Sequence, residues 1–229
     1  MASTQPHATQ TQGALLRCIV LAVADRVIES AEELTRLDQA IGDGDHGLNM
    51  KRGFEAVRAA LASDPTDDCG ALLLGVGRTL VMKVGGASGP LYGSFFLQLG
   101  KDWAQISDRA TLIACLRKAV EAVASRGKSH PGQKTMLDVL FPLVDALPGV
   151  LETQLPDLAR LRDLAAERAQ ATIPMLAERG RASFLKERSI GHMDPGAASS
   201  SLMVTAVCEV LGEAFRASGA LLTPAGDQP

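Results

Sequence analysis

Apolar residues recur every three or four positions along almost the whole chain, and this spacing limits what the chain can fold into. Residues so spaced lie on one face of an α-helix, whereas side chains of a strand alternate with a period of two. Alternating segments are hard to find, so the sequence predicts an all-α protein. Clear helical series are Leu16, Ile19, Val23 and Val27, then Met50, Phe54, Val57 and Leu61, and later Leu112, Leu116 and Val120.

Glycine, proline and polar clusters divide this pattern into eight predicted helices. No low-complexity linker and no repeat of fixed period separates them, so we expect one helical domain over residues 12–221. The ends, residues 1–11 and 222–229, are polar or rich in glycine and proline and are predicted to be flexible tails. The predicted helices cover residues 12–37, 46–63, 69–84, 89–104, 108–126, 132–147, 155–180 and 196–217.

Composition narrows the classes of function. The chain has 229 residues, 46% of them hydrophobic, which is enough for a core, and its formal charge of -3 comes without a block of basic residues. Nucleic acid is therefore not an expected partner. Arg17 and Asp25 interrupt the first apolar stretch, so we predict no signal peptide, no membrane span and a cytoplasmic protein. The four cysteines lie far apart without C-x-x-C spacing, which predicts reduced, mostly packed thiols.

The connection between the first two predicted helices contains three carboxylates within eight positions, Asp38, Asp43 and Asp45. Glycines at 42, 44 and 47 let the backbone curl, so that the carboxylate oxygens can converge. Converging carboxylates repel one another and favour a cation, and a set of oxygen ligands suits a hard ion such as Mg²⁺. This connection therefore predicts a magnesium site that leaves positions open for substrate phosphates.

Two other structures, a calcium loop and a solvated turn, could have a connection of similar composition. A calcium loop of the EF-hand type fails, because counting from Asp43 places Leu48 where glycine is required and Phe54 where the bidentate glutamate belongs. A solvated turn that caps the second helix is a common use of aspartate and glycine, and it stays open.

The connection Gly85–Pro90 ends one predicted helix and opens the next, with Ser88 as the expected N-cap and Pro90 in the first turn. Small residues before a helix expose several backbone N–H groups, which form a ready anion site. A plain glycine-rich turn between helices would have the same composition, so the two interpretations remain open.

The segment Ser125–Gly132 contains Gly127-Lys128-Ser129, which invites comparison with a P-loop. A P-loop follows a strand and needs a glycine five positions before its Gly-Lys, whereas Ala122 stands there within a predicted helix. The P-loop is therefore rejected. Lys128 is either a solvated charge or a neighbour of a phosphate, and spacing does not decide.

The last long connection, residues 180–196, carries Arg181 and Arg188, which could clamp phosphates. Asp194 and Pro195 then form an N-cap and first-turn pair for the final predicted helix. In a helical bundle or barrel, all four connections could gather at one end, and this combination points to a nucleotide more strongly than any single one.

Together these segments resemble the nucleotide-binding L subunit of dihydroxyacetone kinase, the DhaL family. The likeness covers roughly residues 12–217 and includes four motifs in the same order. They are Gly42-Asp43-Gly44-Asp45-His46-Gly47, Val84–Gly93, Gly132-Gln133-Lys134-Thr135-Met136-Leu137-Asp138, and Glu187–His192 with Asp194-Pro195-Gly196.

The resemblance implies a barrel of eight antiparallel helices, with two Mg²⁺ ions and ADP or ATP bound where the loops meet at one end. It implies that Asp38, Asp43 and Asp45 bind magnesium and that no residue of this chain is a catalytic nucleophile. The residues that it places around the nucleotide are His46, Asn49, Ala87, Ser88, Gly127, Met136, Arg181, Asp194, Pro195 and Gly196.

In this family the domain occurs fused to the substrate-binding domain of an ATP-dependent kinase, or free in the phosphoenolpyruvate-dependent phosphotransferase form, and this chain resembles the second. The resemblance then implies a phosphocarrier subunit that phosphorylates bound ADP, and a second subunit that holds dihydroxyacetone. Two alternatives remain: a subunit that exchanges ADP for free ATP and serves a related small ketose, and a nucleotide-loaded regulatory module. The sequence leaves a homodimer open.

Overall fold

A computed structural model describes residues 11–152 and 156–218, and every regular element within these ranges is helical. The all-α prediction is confirmed. Two short 3-10 segments accompany the α-helices, Trp103–Gln105 after the fifth helix and Arg181–Ser189 before the last. The α-helices are α1 (Gln12–Glu29), α2 (Ala31–Ile41), α3 (His46–Ser63), α4 (Cys69–Lys83), α5 (Ser88–Asp102), α6 (Arg109–Gly127), α7 (Leu137–Leu151), α8 (Leu158–Ala171) and α9 (Pro195–Ser218).

The first predicted helix, residues 12–37, was wrong as one element. It breaks at Ser30, where ψ is 6° and the backbone N–H still donates to the carbonyl oxygen of Arg26, and α2 then runs on to Ile41. The apolar spacing continues through the break, so periodicity could not reveal it.

Two other predicted helices were too long, and local backbone chemistry explains both errors. The helix predicted from residue 132 begins at Leu137, because Gly132 and Lys134 have φ of 92° and 59°, in the left-handed region that an α-helix excludes. The helix predicted to reach residue 180 ends at Ala171, and Pro174 follows, which disfavours helical backbone at the residue before it. Residues 172–194 thus form a long connection rather than a helical extension.

The helices pack in a closed ring. In chain order α1, α3, α4, α5, α6, α7, α8 and α9 each contact the next, and α9 returns to contact α1, while α2 packs against α3 and α9. This order of eight ring positions agrees with the implied barrel, although the broken first helix raises the number of α-helices in the described ranges to nine. Mostly aliphatic side chains fill the interior, including the fully buried Val27, Met50 and Leu80, together with the aromatic Phe54.

Glycines let two neighbouring pairs of helices approach closely. A Cβ on Gly77 of α4 would lie 2.9 Å from the carbonyl oxygen of Gly93 on α5, so these backbones are nearly in contact. A Cβ on Gly47 would lie 1.9 Å from the carbonyl oxygen of Ala31, which presses the first turn of α3 against α2. Both contacts position the connections that form the site described below.

Helix α9 has the length and hydropathy of a membrane span, with a mean hydropathy of 1.2 over residues 195–217. It packs against α1, α2, α7 and α8, as a helix of this domain. All four cysteines are free thiols, as predicted, and Cys69, Cys115 and Cys208 are buried. The predicted tails 1–11 and 222–229 lie outside the described residues except for Thr11, so the domain bounds stay predictions.

Candidate functional site

Four connections meet at one end of the ring and line a cavity of about 470 Å³. They are the connections that follow α2, α4, α6 and α8, every second one along the chain, as expected for antiparallel neighbours. All of the predicted site residues except Asn49 line this cavity. The lining residues from that set are Asp38, Asp43, Asp45, His46, Ala87, Ser88, Gly127, Met136, Arg181, Asp194, Pro195 and Gly196.

The three aspartates of the first connection come together at the cavity. One carboxylate oxygen from each of Asp38, Asp43 and Asp45 lies within 4.8 Å of the others, and Asp38 is buried while the other two are exposed. Oxygen atoms at this separation fit a hard divalent cation, which would also relieve their mutual repulsion. The donor chemistry is therefore suited to Mg²⁺ with further ligands from solvent or a phosphate.

Asp38 also fixes the start of α3. Its Oδ2 accepts hydrogen bonds from the backbone N–H groups of Asp45 at 2.8 Å and His46 at 3.1 Å. Asp45 itself makes no side-chain cap bond to α3, although the sequence left open that this turn caps the helix. Asp38, seven positions before Asp45, therefore acts as a cap for α3, and this contact holds the connection between α2 and α3 closed.

Arginines face this cluster from the connection between α8 and α9. The Arg181 guanidinium lies 3.0 Å from Asp43 Oδ2, and both side chains are well exposed. Arg179, which the sequence analysis did not select, also lines the cavity, whereas Arg188 does not. Lys128 is exposed and lies outside the lining, as the solvated alternative expected.

The start of α5 forms the opposite wall. Ala87 occupies the N-cap position and Ser88 is the first helical residue, so the prediction of Ser88 as N-cap was wrong by one residue. No side chain within the described ranges caps α5. Its first N–H groups therefore face the cavity as a site of positive potential, where an anion is favoured.

Asn49 does not line the cavity and instead lies next to the Gly85 backbone. Its Oδ1 accepts a hydrogen bond from Arg52 at 2.7 Å, and a Cβ on Gly85 would lie 2.6 Å from the same oxygen. Arg52 also donates to the carbonyl oxygen of Lys83 at 2.9 Å. Asn49 thus supports the Gly85–Gly86 backbone from below, and a Cβ at Gly85 would collide with this support.

A chain of polar groups runs from Ser88 into the barrel. His46 is buried, and its Nδ1 and Nε2 each lie 3.0 Å from a hydroxyl, those of Ser88 and Ser199. The Tyr92 hydroxyl continues the chain, 2.8 Å from Ser199 Oγ and 2.9 Å from Ser200 Oγ. Each of these buried polar groups has a partner, so the chain fixes α3, α5 and α9 relative to one another.

Burial shifts the pKa values of two residues in this hydrogen-bonded series, His46 and Tyr92. Loss of solvation lowers the pKa of His46, against the opposing charges of Asp38 and Asp45. Burial raises the pKa of Tyr92 to about 12, although its bonds to Ser199 and Ser200 act in the other direction. Both groups are accordingly neutral at pH 7 and serve as hydrogen-bonding groups.

Asp194 caps α9, as predicted, with Oδ2 accepting from the backbone N–H of Ala197 at 2.7 Å. Burial raises the pKa of this carboxyl to about 7, and the nearby charge of Asp138 adds to the shift while that of Lys134 opposes it. Pro195 and Gly196 follow in the first turn and line the cavity beside it.

The connection between α6 and α7 and the first turn of α7 contain three buried polar residues of a quoted motif that had no assigned role, Gln133, Lys134 and Asp138. Asp138 accepts hydrogen bonds from the backbone N–H groups of Gly132 and Thr135. Gln133 donates to Glu178 at 3.2 Å, across to the connection between α8 and α9. Buried polar residues in a loop are the signal that could have identified this segment as a structural centre.

Known proteins provide an independent view of this arrangement. The DAK2 domain family matches residues 40–209. The chain is 44% identical over 186 residues to the ADP-binding subunit DhaL of PEP-dependent dihydroxyacetone kinase 1 from Listeria innocua, covering 81% of this chain and 90% of that protein. It is 43% identical over 201 residues to the ADP-binding subunit DhaL of PEP-dependent dihydroxyacetone kinase from Escherichia coli, covering 86% of this chain and 93% of that protein.

A solved structure shares the fold. The dihydroxyacetone kinase of C. freundii in complex with AMP-PNP and Mg²⁺ matches with a TM-score of 0.72 and 24% identity, covering 91% of this chain and 36% of that chain. This likeness supports the all-helical architecture.

Proposed function

The chain belongs to the DAK2 domain family, and on this premise we propose that it is the ADP-binding subunit of a phosphoenolpyruvate-dependent dihydroxyacetone kinase, a phosphotransferase. Its bound nucleotide accepts a phosphoryl group from a phosphocarrier subunit. The resulting ATP then phosphorylates dihydroxyacetone held on a separate substrate-binding subunit. The observation that carries the proposal is that a carboxylate cluster and an uncapped helix N-terminus line the same cavity.

In this proposal Asp38, Asp43 and Asp45 hold two Mg²⁺ ions, which neutralise charge on the nucleotide phosphates. The support is the oxygen-only donor set within 4.8 Å and the fixed position of Asp38, which the N–H groups of Asp45 and His46 hold in place. Mg²⁺ is bound in proteins through one or two carboxylates together with substrate phosphates, and this cluster offers that arrangement.

The nucleotide lies between the other walls of the cavity. Ser88 and the N-terminus of α5 face the phosphates, with His46 orienting the Ser88 hydroxyl from the opposite side. Ala87, Gly127, Met136 and Gly196 give the cavity small or apolar surfaces that suit the nucleoside. The proposed nucleotide contacts also include Asn49, Arg181, Asp194 and Pro195, of which Asn49 acts from behind Gly85.

Phosphoryl transfer needs little covalent chemistry from this chain. A loose transition state spreads negative charge over the transferred oxygens, so positioning and electrostatic neutralisation supply the rate enhancement. Arg181 is suited to this task because it is exposed beside Asp43 and free to move toward an incoming phosphate. No residue of the chain acts as a nucleophile in this account.

Donor and acceptor must be held a few ångströms apart, and a separate donor subunit supplies only one of them. The open end of the barrel therefore docks against two partners in turn, the phosphocarrier and the ketose-binding subunit, in the cytoplasm where both operate. Contacts of this kind are transient, so that the partners can alternate.

A transfer experiment tests the proposal. The purified chain is loaded with γ-labelled ATP and magnesium and mixed with dihydroxyacetone, first alone and then with a ketose-binding subunit. We expect labelled dihydroxyacetone phosphate only in the second mixture, and none with Asp43→Ala. Rapid product formation by the chain alone would contradict the division of labour, whereas an absence of transfer with every partner added would favour the regulatory alternative.

The exchange rate of bound nucleotide separates the remaining alternatives. A phosphocarrier-dependent shuttle retains its ADP through many turnovers, whereas an ATP-dependent subunit releases ADP in each one. Slow release of labelled ADP, compared with the turnover of the reconstituted system, is expected. Release at the turnover rate would identify free ATP as the donor.

A further inference from the structure

Lys134 has an unusual environment for a lysine. Its side chain is fully buried, whereas lysine is almost never buried unless its charge is paired. Its Nζ donates hydrogen bonds to four backbone carbonyl oxygens, those of Ile173 at 3.4 Å, Met175 at 3.1 Å, Ser189 at 2.7 Å and His192 at 2.6 Å. Carbonyl oxygens thus replace the water that a lysine ammonium normally retains.

All four acceptors belong to one segment, residues 172–194 between α8 and α9. This segment has no α-helix of its own, and its 3-10 stretch is interrupted at Lys186. Its apolar contacts in the core clusters of the described residues are limited to Ala177, Ala182 and Leu185 against Ile41, and Met193 against a neighbouring cluster. The Lys134 ammonium therefore adds to a small apolar core in holding the segment.

The backbone at Lys134 is held in a costly conformation. Its φ is 59°, in the left-handed region that residues with a Cβ rarely adopt. Asp138 stabilises the turn by accepting from the N–H groups of Gly132 and Thr135 on either side. Strain that the surroundings maintain in this way is a reason to look for a functional task.

The charged residues with which the segment lines the cavity include Arg181 and Asp194, beside Arg179. Arg181 lies 3.0 Å from Asp43, in the carboxylate cluster across the cavity. Asp194 follows the His192 carbonyl that Lys134 binds, and its backbone N–H donates to Thr172 at 3.0 Å. Both groups therefore keep their positions only while the segment keeps its shape.

We propose that Lys134 is a positioning residue for phosphoryl transfer, whose ammonium folds residues 172–194 into the wall that places Arg181 and Asp194 at the nucleotide. This inference rests on the proposed function. Lys134 itself lies in the cavity lining, and its Nζ is directed to the backbone carbonyl oxygens of the segment through which it acts. Burial lowers the pKa of the Lys134 ammonium, and the charge of Asp194 opposes that shift.

The matched test is Lys134→Met against Lys128→Met. Lys128 lies six positions earlier in the same connection, has a left-handed backbone with φ of 49°, and is exposed. Calorimetric titration with ADP and Mg²⁺ should show about tenfold weaker binding or more for Lys134→Met, a typical coupling between neighbouring groups, and no change for Lys128→Met. Hydrogen exchange should accelerate in residues 172–194 of Lys134→Met and remain unchanged in α4 and α5.

A double-mutant cycle separates positioning from a general loss of stability. Arg181→Ala should weaken ADP binding in the wild-type background and have little further effect in Lys134→Met, because Arg181 is already displaced there. Additive losses in the double variant would overturn the proposal, since a residue that only stabilises the fold loses its contribution independently of Arg181. Equal ADP affinity of Lys134→Met and wild type would overturn it as well.

A measurement on the unaltered protein covers the case in which Lys134→Met does not fold. The hydrogen-bonded ammonium should give a slowly exchanging ¹⁵N signal, and saturation with ADP and Mg²⁺ should slow its exchange further, since coupling between two sites is reciprocal. An exchange rate that saturation leaves unchanged would overturn the inference while the proposed function stands. Failure of the wild type to bind ADP at all would instead remove the proposed function.

Discussion

The two ends of the barrel satisfy their helix N-termini in different ways. At the end away from the cavity, each starting helix has a cap from its own sequence, an aspartate or threonine that accepts the N–H three residues ahead, at 2.7–3.2 Å. The four caps are Thr11 of α1, Asp68 of α4, Asp108 of α6 and Asp157 of α8.

At the cavity end, α3, α5 and α7 have no side-chain cap bond from their own N-cap residue. Asp38 serves α3 from a distance, and α5 is left open toward the cavity. Only α9 has a local cap, Asp194. The helix N-termini at one end are thus capped by their own side chains, while those at the cavity end leave backbone N–H donors available for a ligand.

The two ends also differ in the role of the cationic side chains that bind backbone carbonyl oxygens of a connection. At the closed end, Arg17 donates to the carbonyl oxygens of Leu61, Asp64 and Thr66 at 2.6, 2.8 and 2.7 Å, securing the connection between α3 and α4. At the cavity end, Lys134 binds carbonyls in a similar way, but the loop that it holds carries site residues. The comparison teaches that the closed end contributes stability and the open end contributes binding, and the following predictions test that division.

The largest effect is expected for Asp43→Ala at the open end. Loss of a carboxylate from the cluster should weaken binding of Mg²⁺ and ADP by about hundredfold or more, the upper range for losses at metal sites. The metal-free protein should be as stable as wild type or slightly more so, because repulsion with Asp38 and Asp45 is relieved. Calorimetric titration and thermal melting in chelator measure the two quantities.

Asp67→Ala, an exposed aspartate of the closed end, is the control for this experiment. It should leave ADP affinity unchanged. Retention of two metal ions per chain by Asp43→Ala would show that the cluster is not the metal site.

Arg17→Met should show the reverse pattern. It leaves three backbone carbonyls without their donor, which should lower the free energy of unfolding by about 2–3 kcal/mol. ADP affinity should stay the same, since Arg17 lies at the closed end. Denaturant unfolding would be compared with Arg78→Met, an exposed arginine of α4, and a loss of ADP affinity in Arg17→Met would break the proposed division between the ends.

Asp194→Asn tests the open end through pH. The pKa of Asp194 is raised from 3.8 to about 7 in the folded protein, so the native state binds a proton that the unfolded state has lost between these values. Its contribution to stability is therefore greatest below pH 4 and is lost as pH rises toward 7. Asparagine carries no charge and can still cap α9.

Between pH 5 and pH 8, metal-free Asp194→Asn should gain roughly 2–3 kcal/mol relative to wild type. Denaturant unfolding at several pH values in chelator gives this difference. A stability difference between the two proteins that does not vary with pH would show that Asp194 does not titrate in this range.

The smallest effect is expected for Asp68→Ala, which removes one local cap. The variant should lose about 1 kcal/mol of stability. Nucleotide affinity should not change, because Asp68 lies at the closed end and its one cap bond is to Ala71 within the same turn. Thr11→Ala should lower stability by a similar amount. An effect of either substitution on ADP affinity would show that the closed end contributes to binding, contrary to the proposed division.

The local chemistry of the open end could be predicted from the sequence only in part. The carboxylate cluster could be predicted because three aspartates with intervening glycines lie within eight residues. Asp38 as the remote partner of α3 could not, because its contact depends on how α2 meets α3. Asn49 was expected to line the cavity, but it lies behind Gly85, which lines the cavity in its place. Sequence spacing does not distinguish these two positions.

The same limit applies to Lys134 and to the long connection that it binds. A lysine in a loop is ordinarily exposed, so composition predicts solvent where the structure has four carbonyls. The left-handed backbone at Gly132 and Lys134 cut short a predicted helix for the same reason. Long-range packing decides both features, and periodicity reports only local structure.

Native mass spectrometry of the chain purified without added nucleotide tests the central claim most directly. The open end is predicted to retain ligand, so the native mass should exceed the denatured mass by one ADP and two magnesium ions. Chelation should remove this excess and lower the melting temperature, since a ligand at about a thousand times its Kd contributes about 4 kcal/mol to stability. A native mass equal to that of the bare chain, unchanged by millimolar ADP and magnesium, would contradict the account.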